Sequence, residues 1–157
     1  MSRAKIQSEF PRLKTAAFFL TSPPSPHYNC IAWAAEDTAR WWWPVHGPHR
    51  EAYWPPNIDR REDVATFVAA FATLGYEPCA DGTVELGFAK IALFADAQGK
   101  PLHAAKQLPN GTWSSKLGVH EDISHMLYSL EGGQYGAVVQ YVRRRAPPPV
   151  ARNPQNG

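Results

Sequence analysis

The sequence predicts a single α+β domain in which N-terminal helices pack on an antiparallel sheet of about four strands. Three observations carry this. Apolar residues Val64, Phe67, Val68 and Phe71 recur at helical spacing. Downstream of Gly87, short runs rich in alternating apolar residues are separated by turn residues. Ahead of both, a proline-rich stretch delivers the chain to a small-residue segment beginning at Cys30.

At 157 residues, with 44% apolar and 19% charged residues, the chain can bury one core without disulfide staples. The expected division is an N-terminal arm and Pro-rich lead-in over 1–26, one domain over 27–143 and a disordered Pro-rich tail over 144–157. Its 15 prolines and six tryptophans imply much ordered loop. A net charge of +2, partly from Arg143, Arg144, Arg145 and Arg152 in or near the tail, leaves the domain nearly neutral and argues against a nucleic-acid partner. Cys30 and Cys79 form no CxxC pair. The apolar run Ala16–Leu20 is too short to span a bilayer and lacks a signal-peptide pattern, so no membrane partner is expected and a reducing, cytoplasmic location is.

In chain order, residues 1–13 read as a loose arm or short helix. The string Thr21-Ser22-Pro23-Pro24-Ser25-Pro26 excludes helix, because each proline fixes φ and removes a donor. From Cys30 to about Arg40 the positions Ile31, Ala34 and Ala35 suit a short helix. A long loop, Pro44 to Pro56, holds His46, His49, Tyr53 and Trp54. Asp59–Leu74 is the clearest helix, stopped by Gly75. Gly87–Ala95 and Leu102–Leu108 read as strands joined by Asp96–Lys100. Pro109-Asn110-Gly111 then makes a hairpin turn into a third strand, Thr112–Leu117. That register puts His103, Ala105 and Gln107 on one face with Trp113, Ser115 and Leu117. Asp122–Leu130 is expected as a helix, and Gly136–Val142 as an interior strand.

Chemistry centres on Cys30. A thiol at a helix start, a histidine on a strand and a polar residue on the next strand are what a cysteine hydrolase needs: nucleophile, base and orienter. Cys30, His103 and either Ser115 or Gln107 occupy those positions, with Asn29 or backbone amides at Cys30 as oxyanion donor. The competing readings are a buried structural cysteine and a satisfied strand histidine. Tyr28, Trp42, Trp43, Tyr53 and Trp54 are candidate substrate-binding residues, and packing against the prolines is the alternative. A zinc site from His27, Cys30, Cys79 and His103 or His46 is also conceivable, although it lacks two compact ligand pairs; no metal or other cofactor is expected. Cys79 reads as structural, Lys116 as an exposed edge lysine, and His125 as a solvent-facing helix residue.

The order of parts resembles the papain-like fold of bacterial cell-wall amidopeptidases and related cysteine hydrolases. That resemblance implies Cys30 as nucleophile and His103 as base, while the upstream glutamine of papain-type enzymes is replaced here by the proline run. A closer resemblance is to an uncharacterised family of short bacterial proteins. It rests on Tyr28-Asn29-Cys30-Ile31-Ala32-Trp33-Ala34, Trp42-Trp43-Pro44, Leu74-Gly75-Tyr76, His103-Ala104-Ala105-Lys106-Gln107-Leu108 and Trp113-Ser114-Ser115-Lys116-Leu117-Gly118.

The sequence therefore leads to a cysteine hydrolase or amide transferase acting on an amide, peptide or ester bond of a small-molecule or peptide substrate. The alternative is a non-catalytic module whose aromatic loop holds a peptide, glycan or partner protein. No motif in the chain specifies an oligomeric state.

Overall fold

The computed structural model describes residues 2–47 and 50–146. Among them, seven strands form one antiparallel sheet: β1 (Phe18–Ser22), β2 (Glu77–Cys79), β3 (Phe88–Ala95), β4 (Pro101–Gln107), β5 (Trp113–Lys116), β6 (Asp122–His125) and β7 (Ala137–Arg145). Their spatial order is β1-β6-β5-β4-β3-β7-β2. Three short helices accompany them, α1 (Arg3–Glu9), α2 (Cys30–Ala34) and α3 (Val64–Ala72), with 3₁₀ turns at Pro11–Lys14 and Leu127–Leu130. This replaces the expected α+β architecture of N-terminal helices on about four strands, and with it the papain-like description.

The central hairpins follow from local turn chemistry. Asp96 Oδ1 accepts from the N–H groups of Gln98 and Lys100, both at 2.9 Å, and closes the β3–β4 turn. At the β4–β5 turn the Leu108 N–H donates to Thr112 O at 2.7 Å, and Gly111 takes φ +87°. This is the expected three-residue connection with its glycine in the left-handed region. β7 lies between β3 and β2, interior as expected.

The pleat sends alternate residues to two apolar layers. On one face Ile91, Leu93, Ala104 and Val142 meet α2, α3 and the aromatic segment, through Ile31, Trp42, Trp54, Phe67 and Phe71. On the other, Ala92, Phe94, Ala105, Trp113 and Ile123 meet Ile6, Phe10, Leu13 and Leu130. Residues 2–26, expected as arm and lead-in, thus supply core side chains as well as edge strand β1, which pairs with β6.

Several elements differ from expectation for identifiable reasons. α2 is five residues long, because Glu36 adopts φ +62° and turns the chain out of the helix. α3 begins at Val64, where Asp63 caps it by accepting from Thr66 N–H at 2.8 Å. The expected helix over Asp122–Leu130 is instead strand β6 followed by a 3₁₀ turn. Arg144 and Arg145 complete β7 and do not begin the tail. The tail beyond residue 146, expected to be disordered, and His49 lie outside the described residues. No helix among the described residues is long and apolar enough to cross a membrane.

Candidate functional site

Cys30 is the first residue of α2, and the residue before it builds the helix start. Asn29 Oδ1 accepts from Ala32 N–H and from Trp42 N–H, both at 3.1 Å, while Nδ2 donates to Trp42 O at 2.7 Å. Asn29 therefore caps α2 and ties down the tryptophan segment. Its Oδ1 and one Nδ2 hydrogen are held by those structural bonds, and the residue also lines a cavity beside Cys30.

Trp33 Nε1 donates to Ser114 Oγ at 2.9 Å and pins the helix to β5. Lys116 of the same strand is fully buried. It was expected at an exposed edge, but Nζ donates to Ser25 O at 2.9 Å, to Gly118 O at 2.8 Å and to His120 O, and it lies over the Tyr28 ring. Three carbonyls and an aromatic face replace its hydration shell. They fix the end of the proline-rich segment just before Cys30.

The ladder between β4 and β5 consists of Lys106 with Ser114 and Gln107 with Trp113, and leaves the strands unpaired toward His103 and Leu117. Cys30 belongs to the α2 layer, whereas His103 pairs with Phe94 across β3 and turns its ring to the opposite layer. The thiol nevertheless faces the backbone N–H of Ala104, the residue after His103.

His103 is fully buried, and its Nε2 shares a hydrogen bond with Ser115 Oγ at 2.8 Å. Ser115 Oγ shares a second with His125 Nε2 at 2.7 Å, and His125 Nδ1 is 2.8 Å from Met126 O. His103 Nδ1 is buried with no hydrogen-bond partner among the described residues. Tyr135 stacks on the same ring. Gln107, the other candidate orienter, instead donates through Nε2 to Gly82 O at 2.7 Å.

Burial dominates the electrostatics. It pushes the Cys30 thiol up to about 11, against the opposing pull of the N–H groups of Ala104, Ile31 and Cys30 and of the Lys116 charge. It holds His103 well below the usual imidazole range, helped by His125, and takes His125 to about 4 despite the Met126 carbonyl. Tyr135 is raised by burial first, then by Cys30 and Glu9. At neutral pH the thiol and both imidazoles are uncharged.

A cavity of about 540 Å³ opens beside Cys30, with Trp41, Trp43, Leu102 and Tyr135 in its wall and His46, Arg50 and Glu62 as polar groups. Of the five expected substrate-binding residues, Trp43 lines it. Tyr53 and Trp54 border a neighbouring hollow, Trp42 is buried with Nε1 donating to Asp37 Oδ2 at 2.8 Å, and Tyr28 stacks on Trp33. Among the described residues no group of three or more His, Cys, Asp or Glu side chains is gathered to hold a metal, so the zinc alternative from His27, Cys30, Cys79 and His103 or His46 has no geometric basis there.

His125, Tyr135 and the burial of Lys116 were missed from the sequence. The alternation Asp122-Ile123-Ser124-His125 was the available signal for His125, since it places the imidazole on the face of Ile123.

No curated protein and no solved structure matches the chain. One family model does match, over residues 19–143, and that span contains the Cys30 helix, the aromatic segment and all seven strands apart from the first residue of β1 and the last two of β7. The chain belongs to the family described as a domain of unknown function, DUF7689.

Proposed function

We propose that the protein is a cysteine-dependent hydrolase or acyl transferase acting on an amide, peptide or ester bond held in the cavity beside Cys30. The observation that carries this reading is the state of His103. One ring nitrogen is engaged by Ser115, while Nδ1 is buried without a partner among the described residues, and the next residue along, Ala104, presents its N–H to the Cys30 sulfur. An unused buried nitrogen is costly in a purely structural histidine. A base awaiting a proton has that requirement.

In this mechanism Cys30 Sγ attacks the substrate carbonyl carbon as its proton passes through an intervening water to His103 Nδ1, because the two side chains lie in opposite layers of the sheet. The thiol is uncharged at rest because burial raises it to about 11, so proton transfer accompanies attack and does not precede it. Backbone N–H groups at the start of α2 stabilise the oxyanion. The leaving group takes the proton from His103 as the carbon–leaving-group bond breaks and leaves a thioester. Water or an acceptor amine or alcohol then attacks that thioester, giving its proton to His103, and the thiol is regenerated. The free thiols of Cys30 and Cys79 suit a reducing cytoplasm.

p-Nitrophenyl acetate turnover tests the reading. Cys30→Ala and His103→Ala should each remove catalysed release, with the fold retained by circular dichroism; full turnover in Cys30→Ala rejects it.

The aromatic cavity and the high thiol pKa also favour a second reading, a module that binds a peptide, glycan or partner without chemistry. Ligand retention by Cys30→Ala with no covalent adduct or turnover in wild type would select it.

A further inference from the structure

We propose that His125 is a positioning residue that, acting through Ser115, fixes His103 in the tautomer whose bare nitrogen is Nδ1. The hydrolase reading is needed only for the use made of that nitrogen; the hydrogen-bond directions are set independently.

The chain of directions starts at a group with no choice. Met126 O is a carbonyl and can only accept, so His125 Nδ1, 2.8 Å away, must carry the hydrogen. A buried neutral imidazole carries one hydrogen, so His125 Nε2 is a lone pair and accepts from the Ser115 hydroxyl at 2.7 Å. Ser115 has a single hydrogen and has now used it, so its oxygen can only accept from His103 at 2.8 Å. His103 therefore carries its hydrogen on Nε2. Nδ1 is left as a lone pair, and it is the atom that lacks a partner among the described residues.

A backbone carbonyl two side chains away thus decides which nitrogen of His103 is basic. Ser115 alone cannot do this, because a hydroxyl both donates and accepts and would tolerate either tautomer. His125 removes that freedom. Tyr135, flat against His103 with ring centroids 4.0 Å apart, further restricts the ring flip that would carry Nε2 away from Ser115.

Imidazole nitrogen–proton correlation NMR on the full chain reads each tautomer directly. Wild type should show His103 protonated on Nε2 and His125 on Nδ1. In His125→Phe the Ser115 hydroxyl loses its acceptor and can donate to Nε2 as well as accept from it, so His103 should become a mixture in which the Nδ1–H form is populated. His125→Gln supplies a carbonyl acceptor and should restore Nε2–H. Should His125→Phe fail to fold, Ser115→Ala removes the same link and should leave His103 a mixture of tautomers. A wild-type His103 protonated on Nδ1, or an unchanged Nε2–H tautomer in folded His125→Phe, overturns the proposal. Wild-type p-nitrophenyl acetate turnover by Cys30→Ala, with the tautomers responding as described, would remove the hydrolase reading and leave the relay standing.

Discussion

His103 lies flat against Tyr135, with ring planes 7° from parallel. The phenol ring shields one side of the imidazole, and burial is the main reason His103 resists protonation. Tyr135→Leu should admit water and raise the His103 pKa toward the ordinary imidazole value, whereas Tyr135→Phe should leave it nearly unchanged. Following the His103 ring protons by NMR through a pH titration distinguishes the two.

The two buried histidines make folding sensitive to mild acid. His125 titrates at about 4 and His103 is well depressed, so the unfolded chain binds protons that the folded state refuses. Their contribution is complete above the unfolded histidine value of about 6.5, and each site loses up to about 1.4 kcal/mol per pH unit as the pH falls below it. For His125 the loss levels off near its folded value. Urea unfolding at pH 7, 6 and 5 should show this slope, and folded His125→Phe should show a shallower one.

Lys116 holds together segments far apart in sequence. Lys116→Met keeps the stem's packing but leaves the carbonyls of Ser25, Gly118 and His120 without their shared donor. Destabilisation of about 3 kcal/mol or more is expected, from buried acceptors that lose a charged partner. Urea midpoints measure it. Lys116→Ala should be worse because it also opens a cavity.

Asn29→Ala should cost about 1–3 kcal/mol, combining the loss of a helix cap with the loss of the tether to Trp42. Asn29→Asp keeps the accepting oxygen but loses the donor to Trp42 O, so it should fall between wild type and alanine. Chemical denaturation ranks the three.

Alkylation of Cys30 by iodoacetamide should rise about tenfold per pH unit up to its pKa, because the reactive species is the thiolate. With the thiol at about 11, the plateau should lie beyond the range of ordinary thiols. Mass-resolved labelling separates Cys30 from Cys79. A plateau near pH 8 would mean that the sulfur is far more hydrated than its burial implies.

The sequence made local structure readable and left long-range pairing obscure. Pro109-Asn110-Gly111 encodes its own turn, and once that register is set His103 and Ser115 must share a face. The apolar stripe likewise identifies α3, although the helix starts at Val64 and not at Asp59. β1 has no such signal and becomes a strand by pairing with β6 about a hundred residues away, as in the Thr21 hydroxyl's bond to Asp122 O across 101 positions; β6, with only a four-residue alternation, is held between that partner and β5. Read without that partner, Asp122–Leu130 resembles a helix and His125 falls on its surface. Lys116 misleads in the same way, since the carbonyls that make its burial tolerable come from loops. The nucleophile and base candidates were accessible because they sit on locally encoded elements. Their positioning residues His125 and Tyr135 lie beyond the β4–β5 hairpin, where the local signal is weaker.

The β1–β6 pairing also sets a timetable for the ribosome. Translation delivers β1 and Cys30 early, yet the strand that pairs with β1, and Tyr135 after it, emerge only near the end of the described chain. Such distant partners make assembly slow and late relative to local hairpins. A nascent polypeptide therefore carries its thiol as an ordinary, solvated cysteine, and acquires the buried environment of Cys30 only when β4 and β5 pack on α2.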